Sequence, residues 1–516
     1  MTDYDYVIVG SGVAASTVAK SLLEYDRSTS ILLLEAGPEV PARDRRSWWD
    51  YVVNDVQPYA YCYDQPGETA SLGNTTWEFD GSRVMAYGGS TMHWGGWCLR
   101  YKPEDFWLRT NTGAGGDWPF TYDDLEPYYC RAEHHLSVCG DDTEGWTKRS
   151  EPYPRPPFPW TAADGEMIEA MQRLDIKPGK MPVARYRKCM TTGTCKYCPF
   201  GARFSGQYVN DDLRADPRHV NFEIKTGTPA TQILLSSKSK VRGIEYLDTE
   251  TGETKVAIGR RYVIAAGAYE SPKLLLRSTS SHWEHGVGNA HDQVGRYVVT
   301  HSILVVRGRN KANPEAWIQP YDFPTLMSRT YDTEEYQKDG KIFLFKNRAL
   351  PNVDIAGLMR AGKTRAEIDA IVRGPRLQEM QAFLEEKGYP DNQLKLAPGK
   401  NRFGLPKTTI SFSRHQSTLT NAERRLDLMQ TVIEEMGYEV VKRSLDDPGG
   451  HHTSGTCRMA ATPEEGVTDA NLQVFGMDNL WICSNAVFPS GAAVNPTLTL
   501  TAVSMRLADH FIGLGT

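Results

Sequence analysis

The N-terminal sequence constrains the fold most, because it joins a short strand to a helix through closely spaced glycines. Tyr6–Val9 is an apolar run typical of a buried strand, a helical pattern continues to about Leu23, and Ile31–Leu34 is a second apolar run. This order predicts the βαβ start of a parallel, doubly wound sheet. The residues of the turn are Gly10, Ser11, Gly12, Val13, Ala14 and Ala15.

The same turn predicts a dinucleotide site. Gly10 and Gly12 permit a tight turn and allow a pyrophosphate to approach the N-terminus of the helix, while Ala15 replaces a third glycine and still permits close packing. Glu35, followed by Ala36, ends the second strand and can accept hydrogen bonds from a ribose diol. The alternative is a tight turn without a ligand, and the positions do not distinguish FAD from NAD.

Length and composition indicate a globular protein of at least two domains. The chain has 516 residues, 40% of them hydrophobic and 24% charged, with a net charge of −6. This charge gives no reason to expect a nucleic-acid partner. No apolar run reaches the roughly 18 residues that a membrane span needs. The first residues are polar and acidic, unlike a signal peptide, so we expect a cytoplasmic protein.

Two further segments are suited to close contact with a flat ligand. Four glycines lie between 88 and 96, and Gly88, Ser90, His93, Trp94 and Gly95 belong to this loop. The alternative for this loop is a packed aromatic corner with a structural histidine. An apolar run ends at Ala266 and Gly267, and a strand pattern begins at Ala230; the small residues again suit a nucleotide.

The middle of the chain, residues 303–447, carries alternating strand patterns and two helical stretches, near 364–387 and 420–437. Gly374-Pro375 should interrupt the first of these. No chemical motif is evident in this block, which fits a region that shapes a substrate pocket.

Three cysteines, Cys189, Cys195 and Cys198, fall within ten residues. Clustered thiolates can hold a metal ion or an iron–sulfur cluster, although a four-ligand site needs one more group from elsewhere. The alternative is free thiols in a loop, and both interpretations remain open.

Near the C-terminus, His451 and His452 follow two glycines. A histidine titrates near neutrality and can act as a general base. In an extended segment the two rings would point to opposite sides, so only one would face a given pocket. Further on, Asn495 is a favoured N-cap residue and Pro496 suits the first position of a helix that buries Leu500, Val503, Leu507 and Phe511.

Together these segments resemble the glucose–methanol–choline (GMC) family of FAD oxidoreductases over essentially the whole chain. The motifs that carry the resemblance are Gly10–Ala15, Gly88–Ser90, Ala265–Ala268 with Ser271-Pro272, His452–Cys457 and Asn495–Thr499. The sugar and glycoside dehydrogenases and the pyranose oxidases of the family are the most similar branches.

The resemblance implies an α/β fold of two domains, similar to that of p-hydroxybenzoate hydroxylase. A Rossmann-like FAD-binding domain would comprise residues 1–104, 200–300 and 448–516. A substrate domain, with an antiparallel sheet and helices, would comprise residues 105–199 and 301–447.

It also implies which residues contact FAD. His93 lies in a loop similar to one in which pyranose oxidases bond a histidine covalently to FAD, although the local residues are permuted here. Ser484 stands where many members have aspartate, so an acidic contact is lost. The implied contacts are Gly10, Ser11, Gly12, Val13, Ala14, Glu35, Ala36, Gly88, Ser90, His93, Trp94, Gly95, Ala230, Ala266, Gly267, Ser484, Asn485, Pro496 and Thr497.

The implied reaction is oxidation of a secondary ring hydroxyl, at C2 or C3 of a sugar or glycoside, to a ketone. His452 would be the base, Asn495 would bind the same oxygen, and hydride would pass to flavin N5. The positive end of the helix that starts at Pro496 would stabilise the reduced flavin.

Three alternatives for the function remain at this point. Serine at 484 and the three cysteines resemble bacterial sugar dehydrogenases, which carry an iron–sulfur cluster and pass electrons to a partner subunit, with which they can be exported to the periplasm. An oxidase that reduces oxygen to hydrogen peroxide is the second. A flavin-binding protein without turnover, or a lyase that uses FAD structurally, is the third. For the assembly we expect either an electron-transfer partner subunit or a homo-oligomer.

Overall fold

The computed structural model describes residues 4–41, 44–54, 56, 58–62, 64–77, 82–316, 321–347, 353, 355–447 and 449–515. The strands in this part of the chain are β1 Tyr4–Val9, β2 Ile31–Leu34, β3 Thr69–Leu72, β4 Val138–Cys139, β5 Gly179–Lys180, β6 Val183–Ala184, β7 Phe222–Lys225, β8 Ala230–Leu235, β9 Val241–Leu247, β10 Thr254–Ala257, β11 Gly259–Ile264, β12 Ser302–Asn310, β13 Leu326–Ser328, β14 Ile342–Lys346, β15 Leu377–Leu384, β16 Gln393–Lys400, β17 Pro406–Ser411, β18 Tyr438–Asp446 and β19 Leu480–Ile482.

The α-helices in the described residues are α1 Val13–Tyr25, α2 Arg45–Asn54, α3 Leu108–Thr112, α4 Tyr122–Leu136, α5 Gly165–Arg173, α6 Gly206–Ala215, α7 Gly267–Arg277, α8 Ile355–Arg360, α9 Arg365–Val372, α10 Gln416–Glu435 and α11 Thr497–Gly513. None of them is long and apolar enough to cross a membrane.

A five-stranded parallel sheet has the order β19-β11-β1-β2-β7. Residues 31–34 of β2 are all buried, as expected for a strand covered on both faces. The loops that follow β1 and β11 lie side by side, because the Ala265 N–H donates to the Val9 carbonyl at 2.8 Å. The glycine turn therefore lies at the carboxyl edge of the sheet, where doubly wound folds bind ligands.

A six-stranded antiparallel sheet has the order β18-β12-β15-β14-β13-β5. Helices α5 and α10 pack on it, and Leu304, Ile342 and Leu426 belong to their shared apolar core. A parallel sheet with helices and a second, antiparallel sheet confirm the predicted fold class. Three small sheets complete the described part, with the orders β10-β9-β8, β16-β17-β3 and β4-β6.

The predicted helical stretch near 364–387 is wrong in its second half. Helix α9 ends at Val372, and Leu377–Leu384 forms β15, which pairs with β12 and with β14. Most of β15 is buried on both faces, so its sequence lacks the alternation that marks a half-exposed strand. The second predicted helix, near 420–437, corresponds to α10.

The two sheets draw on segments that are far apart in sequence. We propose that residues 1–104, 200–300 and 448–516 form the FAD-binding domain and residues 105–199 and 301–447 the substrate domain. Strand β3, from the first set, pairs with β17, from the second, so the two parts share one small sheet.

A buried ion group links the antiparallel sheet to the turn that precedes α3. Lys341, just before β14, is 0% exposed and forms ion pairs with Asp105 and with Asp332, the latter at 3.0 Å. The backbone carbonyl of Asp105 accepts a hydrogen bond from Ser490 Oγ at 2.8 Å. The loop before α11 is thereby attached to the antiparallel sheet.

We expect Lys341→Met to lower the free energy of unfolding by about 3–5 kcal/mol, because it leaves the buried Asp105 carboxylate without its cation, whereas Asp332 keeps its ion pair with Arg329 at 2.6 Å. Urea unfolding followed by tryptophan fluorescence measures this. Lys363→Met is the matched control, because Lys363 forms an exposed pair with Glu367 at 2.9 Å and should contribute little. Equal effects of the two substitutions would contradict the assignment.

Candidate active site

A cavity of about 520 Å³ lies between the glycine turn, the start of α11 and the antiparallel sheet. His452, Asn495 and every predicted FAD contact except Gly88 line it. Gly88 lies behind the wall, where its N–H donates to Ser11 Oγ at 3.0 Å. One cavity thus collects residues that the sequence spreads from position 10 to position 497.

Backbone forms one wall of this cavity. Gly10 has φ +107°, and a Cβ there would lie 2.6 Å from the Ala265 carbonyl oxygen. Gly89 has φ +59°, and a Cβ there would lie 3.0 Å from the Cα of Gly12. Side chains are therefore excluded where the glycine turn meets the loop after β11 and the loop 88–96. This leaves a backbone cradle for a flat or phosphorylated ligand.

Glu35 lies beside this cradle and is 6% exposed. Ser11 Oγ donates to Glu35 Oε2 at 2.5 Å and the Gly37 N–H donates to Oε1 at 2.9 Å. Burial raises the pKa of Glu35 to about 6 against these hydrogen bonds, which lower it. The carboxylate is held in one orientation at the cavity wall.

The predicted cap at Asn495 is wrong. Helix α11 starts at Thr497, and Pro496 occupies the cap position with helical angles of φ −81° and ψ −11°. The Asn495 side chain makes no cap and instead places Nδ2 3.0 Å from His452 Nε2. Its Oδ1 is buried and has no hydrogen-bond partner in the described part of the chain, and the same holds for Asn485 Oδ1.

His452 belongs to a 3-10 turn, residues 450–452, and not to the extended segment considered above. The Tyr269 hydroxyl of α7 donates to the Gly450 carbonyl at 3.1 Å and fixes the turn. Both histidines line the cavity, but His451 Nδ1 lies 3.2 Å from the Ser82 carbonyl and so has a different partner.

His301 is the side chain that sequence reasoning missed. Val299 forms an antiparallel bridge with Ser454, so two residues further along this register His301 lies opposite His452. Their Nδ1 atoms are 3.0 Å apart, and His301 Nε2 lies 3.2 Å from the Gly491 carbonyl oxygen. The only feature of the sequence that could have indicated His301 is three consecutive polar residues, 300–302, before an apolar run typical of a strand.

Both imidazoles are held neutral by their surroundings. Burial lowers the pKa of His301 to about 4. Burial also lowers the pKa of His452 well below its usual range, and the neighbouring imidazoles of His301 and His451 add to this. A neutral His452 can accept a proton, as a general base must.

Aromatic side chains enclose the histidine pair. His301 stacks on Phe383 with ring centroids 5.1 Å apart and 19° between the planes. Phe383 meets His452 edge-on at 5.1 Å and stacks with Trp97 at 6.0 Å. Trp97, Ile303 and Phe383 therefore give this end of the cavity an apolar wall.

The remaining predicted contacts have local roles as well. The Trp94 indole N–H donates to the Phe204 carbonyl at 2.8 Å, and Ser90 Oγ accepts from the Val84 N–H at 3.2 Å. Burial lowers the pKa of His93 well below its usual range. Ser484 Oγ accepts from the Ala486 N–H at 3.3 Å, which caps a short turn.

The predicted metal site is not formed. Among the described residues no three His, Cys, Asp or Glu side chains are placed to hold a metal ion. The Cys195 thiol accepts a hydrogen bond from Arg185 Nη2 at 3.6 Å, and the Cys198 thiol accepts one from the Ala202 N–H at 3.4 Å. These contacts correspond to free thiols in a loop. Cys189, in the same segment, is also a free cysteine.

Comparison with known proteins finds matches over nearly the whole chain. The family model described as GMC oxidoreductase matches with its N-terminal part at residues 4–303 and with its C-terminal part at residues 388–504. The chain is 25% identical to the fructose dehydrogenase large subunit of Gluconobacter japonicus, with 98% of this chain and 97% of that protein covered. It is 24% identical to the C-glycoside 3-oxidase of Microbacterium trichothecenolyticum, with 98% and 96% covered.

The fold is similar to the crystal structure of pyridoxine 4-oxidase from Mesorbium loti. The TM-score is 0.68 at 18% sequence identity, with 99% of each chain covered.

We expect Gly10→Ala to lower the FAD content of the purified protein. The added Cβ would meet the Ala265 carbonyl oxygen at 2.6 Å and separate the glycine turn from the loop after β11. Visible absorbance relative to protein concentration measures the content. Gly362→Ala is the matched control: φ there is +73°, but nothing lies within 4 Å of the added Cβ. A full FAD content in Gly10→Ala would contradict the role of the cradle.

Proposed function

The chain belongs to the GMC oxidoreductase family, and on that premise we propose that it oxidises a secondary ring hydroxyl, at C3 or C2 of a sugar or glycoside, to a ketone. The observation that carries the proposal is the pairing of His452 Nε2 with Asn495 Nδ2 at 3.0 Å in the cavity that also contains the glycine cradle.

The described residues fit FAD, the cofactor of this family. The backbone cradle excludes side chains at Gly10 and Gly89, and Glu35 is an acceptor beside it. The N-terminus of α11 supplies free N–H groups and a partial positive charge. The other predicted contacts would hold the rest of the cofactor. When bound, the flavin would supply the acceptor for the hydride that leaves the substrate carbon.

His452 and Asn495 would act on one hydroxyl group. Because Nε2 and Nδ2 are 3.0 Å apart, a single oxygen can lie within hydrogen-bond distance of both. The substrate hydroxyl would displace the Asn495 amide from the Nε2 lone pair, so that Asn495 would donate to the substrate oxygen and orient its carbon while His452 Nε2 takes the hydroxyl proton. The wall of Phe383 and Trp97 would pack against the apolar face of a sugar ring and exclude water.

Two electron acceptors fit this chemistry. One relative is named as a dehydrogenase large subunit and the other as an oxidase. We propose that the electrons pass to a partner subunit, and we keep oxygen as the second candidate. An iron–sulfur cluster has no part in the proposal, because the described cysteines form no ligand set.

A panel of free sugars and glycosides tests the substrate class. We expect at least one to bleach the flavin in the absence of oxygen, and product analysis should then show a ring ketone. Reoxidation by air with formation of hydrogen peroxide would favour the oxidase, and reoxidation by dyes alone would favour the dehydrogenase. Failure of every compound in the panel would overturn the proposed function.

We expect His452→Ala to slow flavin reduction by at least about 10²-fold, the lower end of general-base contributions, with FAD still bound. Asn495→Ala should cause a similar loss. Stopped-flow absorbance with saturating sugar measures both. The neighbouring variant His451→Ala should lose much less; if it lost more than His452→Ala, the base would be misassigned.

The pH dependence of flavin reduction follows from the lowered pKa of His452. A base with a lowered pKa stays neutral to lower pH, so the rate should be constant down through about pH 6.5, the ordinary histidine value, and fall only below it. An acid limb centred above pH 6.5 would contradict this. In His452→Gln this fall of the rate at low pH should disappear, because the titrating imidazole is absent.

A further inference from the structure

We propose that His301 is a positioning residue: it holds His452 with its proton on Nδ1, and so leaves the Nε2 lone pair facing Asn495 and the substrate. The Gly491 carbonyl sets the direction of this arrangement. The inference deepens the proposed function and rests on His452 as its base.

The direction of the hydrogen bonds follows from the Gly491 carbonyl, a group that can only accept a hydrogen bond. The Gly491 carbonyl oxygen lies 3.2 Å from His301 Nε2, so this nitrogen must carry a proton and donate it. In a neutral imidazole the other nitrogen, Nδ1, is then an acceptor. It lies 3.0 Å from His452 Nδ1, which must therefore be the donor. The remaining nitrogen of His452, Nε2, keeps its lone pair.

The opposite direction of the hydrogen bonds fails at the Gly491 carbonyl. A proton on His452 Nε2 would require His301 Nδ1 to donate to His452 Nδ1, and His301 Nε2 would then face the Gly491 carbonyl with a lone pair. Two acceptors 3.2 Å apart in a buried place repel one another, and a buried polar group without a partner is costly. His301 is only 3% exposed, so water does not relieve this contact.

The same direction orders the Asn495 amide. Its Nδ2 group faces His452 Nε2 at 3.0 Å, and an N–H donor there matches a nitrogen that carries a lone pair. The three hydrogen bonds thus run in one direction, from Asn495 through both histidines to Gly491.

The carbonyl that sets this direction is itself fixed. Ala492 has φ +50°, a left-handed conformation that non-glycine residues rarely adopt, and this angle helps to orient the peptide group between Gly491 and Ala492. The preceding residue, Ser490, donates to the Asp105 carbonyl at 2.8 Å and accepts from the Trp118 indole at 2.7 Å. His301 in turn stacks on Phe383. Neither end of the pair is free to rotate.

The arrangement should persist over the working pH range. His301, with a pKa of about 4 because it is buried, is neutral above that pH and keeps its acceptor nitrogen. The titratable groups that act on the two rings are the rings themselves, His451 and, more weakly, Asp332. Protonation of His301 would place two donors against each other and break the contact to His452.

The tautomer can be measured directly in the wild-type holoenzyme. Histidine labelled with ¹⁵N gives different nitrogen shifts and couplings for the two neutral tautomers, and the His452 signals are assigned by their absence in His452→Gln. We expect the proton on Nδ1 of His452 and on Nε2 of His301. A proton on His452 Nε2 would overturn the proposal.

Two substitutions at 301 test the consequence. His301→Leu removes the acceptor and the donor, whereas His301→Gln retains one of each at the end of its side chain. We expect His301→Leu to slow flavin reduction by between about 10-fold and 10⁴-fold, the upper figure being the loss when a histidine base is held in the wrong tautomer. His301→Gln should recover most of the rate and keep His452 protonated on Nδ1.

A merely structural role predicts a different result. His301→Leu would then keep the tautomer of His452, the pH profile and the rate of flavin reduction at full FAD content, and the proposal would be overturned. If His301→Leu does not bind FAD, the wild-type measurement still decides. That measurement needs no substrate, so it also separates failure of this inference from failure of the sugar panel.

Discussion

The hydrogen bond between His452 and Asn495 joins residues 43 positions apart, and much of the structure serves to hold its two atoms 3.0 Å apart. Asn495 is placed by α11, which packs on α1 and α4 beside the parallel sheet. His452 is placed by a turn that α7 holds from one side and residue 299 from the other, through its bridge with Ser454. The pair therefore depends on both sheets being in position.

The loop 489–493 is the connection on which this positioning depends. It receives the Asp105 contact through Ser490, and Asp105 in turn is paired with the buried Lys341 of the antiparallel sheet. One residue further, the Gly491 carbonyl contacts His301, which precedes β12 of the same sheet. The loop is thus held twice against the antiparallel sheet before the chain enters α11. Buried polar contacts of this kind fix geometry because each leaves an expensive unpaired group if it is broken.

Much of the fold and of the cavity could be predicted, because those features are written in local constraints. Gly10 is required by its φ of +107° and by the close approach of the Ala265 carbonyl, and the apolar runs of β1 and β2 are continuous because both faces of the sheet are covered. The prediction is wrong at Leu377–Leu384, which forms a strand and not part of a helix, because a strand buried on both faces lacks the alternation of apolar and polar residues that distinguishes it from a buried helix. The clustered cysteines were suggestive only by spacing, and spacing does not determine which way side chains point.

The sequence by itself determined the dinucleotide turn and the buried strands β1 and β2, because these rest on patterns within a few positions along the chain. The antiparallel sheet and the choice of His452 and Asn495 followed from the family resemblance. Tertiary structure alone decided what these residues do to each other. It turned Asn495 from a helix cap into the partner of His452, and it brought His301 opposite His452 through a register that no local pattern encodes. The polarity of that row of hydrogen bonds comes from a backbone carbonyl, and every residue has one; only its position in the fold gives Gly491 this role.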